Sequence, residues 1–491
     1  MNNKELLIRN ENELTLNRWR EKEKTALELL QIVGELRFDR SVELIIFRRK
    51  IYDARPSKLL NDHLFAKNYV NKPISIDTSL KLAKAIAQLP NLVPARIDIG
   101  RLAAEWLEEE NNYAHINDFV SDRLEHFSDA AHDGLKVRDV VLYGFGRIGR
   151  LAARRLIEQT GRGEQLRLRA IVVRPKMKEV LQESLKRAAL LQTDSIHGDF
   201  GGQIEVAEDG LEWQINGNRI HLIFAQRPDD IDYGDYGISD ALLIDNTGVW
   251  RNKAVLSVHL RPGISQVMLT APAPDIPNIV YGVNHKGLDI EQDRIFCAAS
   301  CTTNAIVPVI KVVDDHWHIQ RGHIETIHAY TSDQNLLDNF HKKPRRGRGA
   351  ATNMVLTTTG AAKAVSKVMP HLKDCLTGNA VRVPTPNVSL AILNLELEKA
   401  TDREQLKQVL KSASLSGALV EQLHYSTSTE YVSSHAVGMT STSVLDAPST
   451  IVSQNGKHVT LYAWYDNEFG YTCQLIRLAK HAAKVRRKTY Y

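Results

Sequence analysis

The spacing of apolar and polar residues divides this 491-residue chain into a helical opening stretch and a longer stretch of alternating strands and helices. Over residues 13–36, Leu14, Leu16, Trp19, Ala26, Leu27, Leu30, Ile32 and Val33 recur among charged residues at a rough helical period. Asp77-Thr78-Ser79 reads as the cap of a helix over residues 80–89, which Pro90 stops. Two more helices are expected over residues 99–109 and 116–130, and Ala131-His132-Asp133-Gly134 reads as a domain boundary. No internal repeat and no low-complexity tract is present.

The pattern then changes. Residues 137–143 are a β-rich apolar run, and Gly144-Phe145-Gly146-Arg147-Ile148-Gly149-Arg150 follows, leading into an amphipathic helix to about Gln159. Residues 167–173, 241–245 and 266–270 read as further short buried strands. Strands alternating with helices argue for a parallel sheet covered on both faces. Past Cys301 the strands lengthen and alternate, as over residues 389–397, which suggests a second domain with a mixed or antiparallel sheet.

Composition narrows the function. The chain is 43% hydrophobic and 25% charged, ordinary for a soluble globular protein, with a net charge of +5 that is small for its length. Acids and bases nearly balance in residues 1–136, so the basic excess lies in the remainder. This argues against a nucleic-acid binder and suits small anionic substrates. The four cysteines, Cys297, Cys301, Cys375 and Cys473, form no disulfide framework and share no metal-ligand spacing with histidines, so no metal is expected. The first residues lack the apolar core of a signal peptide and no run approaches transmembrane length. A cytoplasmic enzyme without a membrane partner is the expectation.

Two patterns carry chemistry. Gly144-x-Gly146-x-x-Gly149 follows a strand and opens a helix, the setting of a dinucleotide-binding turn. That fingerprint calls for an acidic residue at the end of the next strand, about 20 residues on, to bind the ribose 2′-hydroxyl. This chain instead reads Val172-Val173-Arg174-Pro175-Lys176. Either Arg174 faces solvent, or Arg174 and Lys176 sit at the adenine ribose and tolerate a 2′-phosphate. The second pattern is Ser300-Cys301-Thr302-Thr303-Asn304 before the apolar run 305–313, which reads as a thiol at a helix N-terminus, where free N–H groups and the helix dipole favour thiolate. His328 lies 27 residues on and is a candidate to pair with Cys301, although a buried structural role is open for either residue. The cluster Lys342-Lys343-Pro344-Arg345-Arg346-Gly347-Arg348 is a solvated loop or an anion site.

Together these residues resemble the phosphorylating glyceraldehyde-3-phosphate dehydrogenases, from about Val140 to Tyr471. The ordered motifs are Gly144 to Arg150, Asp194-Ser195-Ile196-His197-Gly198, Asn246-Thr247-Gly248-Val249, Leu269-Thr270-Ala271-Pro272 and Gly282-Val283-Asn284-His285. They continue through Ser300-Cys301-Thr302-Thr303-Asn304, Thr359-Gly360-Ala361-Ala362-Lys363, Arg382-Val383-Pro384-Thr385-Pro386 and Trp464-Tyr465-Asp466-Asn467-Glu468.

The resemblance implies an α/β chain: a helical extension over 1–136, a Rossmann-type dinucleotide-binding domain over 137–300 and a mixed-sheet α+β catalytic domain over 301–466. A C-terminal helix over 467–491 is expected to pack on the dinucleotide-binding domain. It implies Cys301 as nucleophile and His328 as base, with Gly144, Gly146, Arg147, Ile148, Gly149, Arg174, Thr247, Gly248 and Asn467 along NAD or NADP. Thr331, Asp333 and Arg382 are implied for the phosphate of the substrate, glyceraldehyde 3-phosphate. Ser300, Thr302, Thr359, Gly360 and one arginine of 345–348, taken as Arg346, are implied for inorganic phosphate. A homotetramer is implied, with residues 329–353 reaching towards a neighbouring chain. Alternatives are oxidation of another phosphorylated aldehyde, such as erythrose 4-phosphate with water as acceptor, and a non-catalytic binding protein. NAD-specific members carry aspartate where this chain has Arg174, and residues 1–136 have no counterpart in the usual family chain, which leaves a protein partner as one role for them.

Overall fold

The computed structural model describes residues 3–66, 70, 73–129 and 134–491. The chain forms two units. The first comprises Met1–Lys136, Gly161–Glu164 and Arg486–Tyr491; the second comprises Val137–Thr160 and Gln165–Val485. Residues 130–133, which include most of the expected boundary segment, lie outside the described residues.

The first unit opens with a helix over Asn3–Arg40, longer than the periodic stretch that announced it. Its later turns bury Ala26, Leu29, Val33 and Leu36. Helices Pro56–Phe65, Ile76–Gln88, Ile99–Glu109 and Ile116–Arg123 follow. The Ile76–Gln88 helix is capped by Ser75, whose Oγ accepts from Thr78 N at 3.0 Å, and not by Asp77-Thr78-Ser79. Thr78 and Ser79 are already helical, because Ser75 reaches an unpaired first-turn N–H before they can. The last helix ends at Arg123 and gives way to a single 3-10 turn over Glu125–Phe127.

The unit also contains a four-stranded sheet that periodicity did not reveal. Its order is Arg49–Lys50, Glu43–Ile46, Ala95–Asp98, Lys488–Tyr490. Strands of two to four residues are too short to display a period of two. The chain's last strand runs parallel to Ala95–Asp98, so the tail beyond the final helix belongs here and not with residues 467–485. Asp98 ties the sheet to the helix it precedes. Its buried carboxylate accepts from Phe47 N at 2.8 Å, Arg48 N at 3.1 Å, Gly100 N at 3.0 Å and Arg101 N at 3.3 Å.

The second unit holds two eight-stranded sheets. The first runs Ile295–Cys297, Ile264–Leu269, Ala241–Asp245, Val137–Tyr143, Gln165–Val173, Asn218–Phe224, Glu212–Ile215, Ile204–Val206. The first six are mutually parallel and the last two antiparallel. Successive strands step outward from Val137–Tyr143 in one direction and then in the other, so the switch point lies between Val137–Tyr143 and Ala241–Asp245. A crevice for a ligand opens there, outside the strands' carboxyl ends. The helices Arg147–Glu158 and Phe469–Ala482 contribute Leu156, Tyr471, Leu475 and Ile476 to the core of this sheet.

The second sheet runs Val355–Thr357, Leu376–Val383, Ile319–Ala329, Ser389–Leu397, His458–Tyr465, Ser443–Asp446, Leu423–Ser426, and Ile451–Val452 pairs beside His458–Tyr465. It is mixed, as expected: Ile319–Ala329 runs parallel to Leu376–Val383 and antiparallel to Ser389–Leu397. The helix Cys301–Trp317 lies in its core, with Ala305, Ile306, Val309, Ile310 and Val313 fully buried. Among the described residues no helix is long and apolar enough to cross a membrane.

Asp98→Ala strips acceptors from four backbone N–H groups at once. We expect a loss of about 3 kcal/mol in the stability of the first unit. Hydrogen exchange at residues 47, 48, 100 and 101 checks it: protection at wild-type levels would contradict this account of Asp98.

Candidate active site

The strand Ile295–Cys297 hands the chain to the helix Cys301–Trp317 through a bend in which Ala299 takes a φ of 53°. This left-handed conformation is costly for a residue with a Cβ and persists where the surroundings hold it. Tyr471 donates its hydroxyl to Ala299 O at 3.0 Å, and Asn304 Nδ2 donates to Ala298 O at 2.7 Å and Ser300 O at 2.9 Å. Ser300 caps the helix by accepting from Thr303 N at 3.1 Å. Cys301 is therefore the first helical residue, with the positive end of the helix dipole behind its sulfur. It packs against the cores of both sheets of this unit.

His328 comes from the strand Ile319–Ala329 and presents Nε2 to Cys301 Sγ at 3.9 Å. Its Nδ1 lies 2.7 Å from Ala329 O. Nδ1 faces both that carbonyl, which can only accept, and the Arg382 guanidinium, which can only donate, so two tautomers are compatible with its surroundings; with the proton on Nδ1 the Nε2 lone pair faces the sulfur. In the parallel pairing of Ile319–Ala329 with Leu376–Val383, His328 stands opposite Arg382. Arg382 donates to Ala329 O at 2.8 Å and places the same nitrogen 2.9 Å from His328 Nδ1. Burial, reinforced by the Arg382 charge, pushes the imidazole down to about 4. Burial also pushes the Cys301 thiol up, and Arg382 opposes that shift. The resting pair is thus a thiol beside a neutral imidazole, with a guanidinium poised to favour any negative charge that forms on sulfur.

The glycine turn has the shape that its sequence implies. Gly144 takes a φ of +91°, and a Cβ on Gly149 would stand 2.4 Å from Gly144 O, so neither position admits a side chain. A Cβ on Gly146 would meet nothing within 4 Å, so the backbone there faces open space, the cradle that a pyrophosphate requires. These residues fit a dinucleotide. Thr247 donates from N and Oγ1 to Asp245 Oδ1, each at 2.7 Å, while Gly248, at a φ of +62°, offers its carbonyl to Arg251 Nε at 2.9 Å. Asn467 is buried and accepts from Ser389 Oγ at 3.1 Å, which leaves its amide N–H groups for another partner. Arg174 is exposed at the end of the second strand.

One cleft of about 910 Å³ brings together Cys301, His328, Ser300, Thr331, Arg382, Thr247, Arg147, Ile148 and Asn467 among its walls. Of the remaining expected residues, Gly144, Gly146, Gly149, Arg174 and Gly248 lie on the turns that follow the strands Val137–Tyr143, Gln165–Val173 and Ala241–Asp245, and they, like Thr302, Asp333, Arg346, Thr359 and Gly360, stand off its lining. Thr302 shares a hydrogen bond with the buried Tyr465 hydroxyl at 3.1 Å. Asp333 is bonded by Thr331 and ion-paired with Arg346, whose other arm reaches Thr357 Oγ1 at 3.3 Å. Burial and the neighbouring Arg382 charge both lower the Arg346 guanidinium. Thr359 Oγ1 accepts from Ala361 N at 3.2 Å, and Gly360 precedes the helix Ala361–Val368.

Sequence reasoning assigned no role to the groups around Arg147. Its guanidinium bonds Asp194 at 2.7 and 3.2 Å and Glu468 at 2.7 Å, and His197 bridges to Asp466 at 3.1 Å. The Asp194-Ser195-Ile196-His197 and Asp466-Asn467-Glu468 motifs were visible, but not that they meet. Gln334, Tyr330 and Tyr471 also line the cleft and carry no local sequence signal.

The glycine turn and the cleft fit a dinucleotide, with Cys301 and His328 in the same cleft, and comparison with known proteins gives the family. Residues 138–253 match the glyceraldehyde 3-phosphate dehydrogenase NAD binding domain, and residues 300–467 match the C-terminal domain of the same enzymes. A glyceraldehyde-3-phosphate dehydrogenase-like protein of Pseudomonas aeruginosa (strain UCBPP-PA14) is 46% identical over 462 residues, covering 93% of this chain and 98% of its own. The glyceraldehyde-3-phosphate dehydrogenase of Clostridium pasteurianum is 38% identical over 351 residues, 70% of this chain and 98% of its own. Glyceraldehyde-3-phosphate dehydrogenase 1 of Bacillus subtilis (strain 168) is 39% identical over the same length. The chain belongs to the glyceraldehyde-3-phosphate dehydrogenase family and is an oxidoreductase that uses NAD or NADP. The Pseudomonas relative shares the first unit as well, since its match extends over nearly the whole chain.

The lowered His328 value carries a sign. An ordinary histidine protonates near 6.5, so between that pH and about 4 the unfolded chain takes up a proton that the folded site refuses. Stability falls as pH is lowered through this window, by about 3 kcal/mol at its end. His328→Gln removes the titration, so its thermal midpoint falls less than that of the wild type from pH 6.5 to 4. Parallel pH profiles would show that His328 is not held neutral.

Proposed function

We propose that this chain catalyses the reversible oxidation and phosphorylation of glyceraldehyde 3-phosphate to 1,3-bisphosphoglycerate. The observation that carries the reading is Cys301 Sγ facing His328 Nε2 at 3.9 Å in a cleft that Arg382 also enters. His328 Nε2 takes the thiol proton as sulfur bonds to the aldehyde carbon, and returns it to the carbonyl oxygen to give a hemithioacetal. Gly144, Gly146, Arg147, Ile148, Gly149, Thr247, Gly248 and Asn467 would hold NAD or NADP, which would supply the hydride acceptor. His328 then removes the hydroxyl proton of the hemithioacetal as its carbon loses hydride, leaving a thioester on Cys301. An oxygen of inorganic phosphate attacks that carbon and the C–S bond breaks, with the electron pair returning to sulfur.

In this reading Arg382 and Thr331, with Asp333 shaping the pair, hold the substrate's own phosphate. Ser300, Thr302, Arg346, Thr359 and Gly360 receive the attacking phosphate. The Arg346–Asp333 ion pair links the two groups, so an anion that enters competes with Asp333 for Arg346. Each positioned donor is worth about 2–4 kcal/mol of transition-state stabilisation. Leu336, Leu337, Phe340 and Met354, all more than 70% exposed on and beside the 329–353 segment, support a homotetramer in which this loop is covered. Four free cysteines suit a reducing compartment, and we place the enzyme in the cytoplasm.

Cys301→Ser is expected to lose dehydrogenase activity by at least about 10³-fold while dinucleotide affinity, read by calorimetry, stays at the wild-type level. Full turnover in this variant would remove Cys301 from the mechanism. Omitting inorganic phosphate should abolish sustained turnover of the wild type. A rate independent of phosphate would instead favour hydrolysis of the thioester and another phosphorylated aldehyde, such as erythrose 4-phosphate.

A further inference from the structure

The strand Gln165–Val173 ends beside the glycine turn. Gly144 N donates to Val172 O at 2.9 Å, and Ala225 N donates to Val173 O at 3.0 Å. Residue 174 therefore stands where a Rossmann-type sheet meets the adenine ribose. A 2′-hydroxyl there calls for a carboxylate acceptor, and Glu183, Asp229 and Asp230 are each engaged elsewhere. Glu183 is buried and accepts from Lys176 N and Met177 N, each at 2.8 Å, and from Arg187 Nε at 3.0 Å. Asp230 accepts from Arg227 N at 2.9 Å, and Asp229 pairs with the Arg227 side chain, also at 2.9 Å.

The cations are differently placed. Arg174 is exposed, and the single hydrogen bond of its guanidinium among the described residues is a long one, 3.5 Å to Gln226 O. Lys176 is exposed two residues on. The turn that carries both is held rigidly: Glu183 grips its backbone N–H groups, and Arg187, anchored on Glu183, donates to Arg174 O at 3.2 Å. The buried carboxylate has thus become a backbone clamp, and what the turn offers outward is positive.

We propose that this site takes a ribose bearing a 2′-phosphate, so that NADP is the preferred coenzyme, with Arg174 as the principal phosphate ligand, Lys176 beside it, and Glu183 and Arg187 as positioning residues. The proposal rests on the Gly144–Gly149 turn holding the coenzyme pyrophosphate. A guanidinium forks onto phosphate oxygens, and a dianion gains from two adjacent cations where a neutral hydroxyl gains from neither.

Equilibrium binding to the full-length Cys301→Ser protein tests this without turnover, in phosphate-free buffer. NADP should bind at least about tenfold more tightly than NAD, and adenosine 2′,5′-bisphosphate more tightly than AMP by a similar factor. Arg174→Asp should erase the bisphosphate advantage and reverse the dinucleotide order, while Arg174→Lys should keep part of it. Equal affinities in the unsubstituted pocket, or a ratio that Arg174→Asp does not move, would overturn the proposal and leave the dehydrogenase reading standing with NAD. Binding of neither dinucleotide would overturn the pyrophosphate assignment with it. A wild-type enzyme inactive on the aldehyde but selective for NADP would break only the catalytic reading.

Discussion

A charge network assembled from three separate places ties the glycine turn to the segment that carries Asn467, and the layout of the cleft depends on it. Arg147, at the first turn of the helix after the glycine loop, bonds Asp194 and Glu468. Asp194 accepts from Ile196 N and His197 N, each at 3.0 Å, and His197 reaches Asp466. Asp466 in turn accepts from Gly438 N at 2.8 Å, Asn387 Nδ2 at 3.0 Å, and the N–H groups of Glu468 and Phe469. Burial works to raise the Asp194 and Asp466 carboxyls, but these donors and cations hold both below their ordinary values. Asn467 sits inside this knot, so the segment that would hold the nicotinamide is pinned to the turn that would hold the pyrophosphate. Donors and acceptors shared in this way favour one arrangement of the elements they join.

The Cys301–His328 pair is set in the opposite way, by leaving charge incompletely balanced. His328 and Arg382 are neighbours across two parallel strands, and Arg346 adds a second guanidinium nearby. Burial, reinforced by both arginines, depresses the imidazole, and of the two arginines only Arg382 opposes the upward push of burial on the thiol, so the pair rests neutral beside positive charge. Thiolate, oxyanion and phosphate all bring negative charge, and in a cleft of low dielectric its stabilisation is larger than in water. The Arg346 charge is met within the site by Asp333.

The first unit shows how little chain order says about where a segment ends up. It draws on residues 1–136, a four-residue turn at 161–164 and the last six residues. Arg487 lies 3.6 Å from Glu43, Ser41 bonds Glu164, and the final strand pairs with Ala95–Asp98. A cut at residue 136 would therefore strand two pieces of the unit, including one whole strand of its sheet. The P. aeruginosa relative retains this stretch at similar overall length, whereas the clostridial and bacillar enzymes match only about 70% of the chain.

Much of the local chemistry was legible in the sequence because local physics decides it. A cysteine behind a serine cap and ahead of an apolar run starts a helix wherever it is placed, and glycines at 144 and 149 are required by a turn that excludes Cβ atoms. The strand over residues 389–397 and the helix over 99–109 appear with the bounds their periodicity implied. The two-residue strand Arg49–Lys50 and the closing strand Lys488–Tyr490 did not, since such short runs carry no period and form only against a partner. Register did the rest. Nothing in the residues says that His328 faces Arg382 across two strands or that Asp194 and Glu468 share Arg147. Those are contacts between segments far apart in the chain, and only the packed sheets bring them within reach.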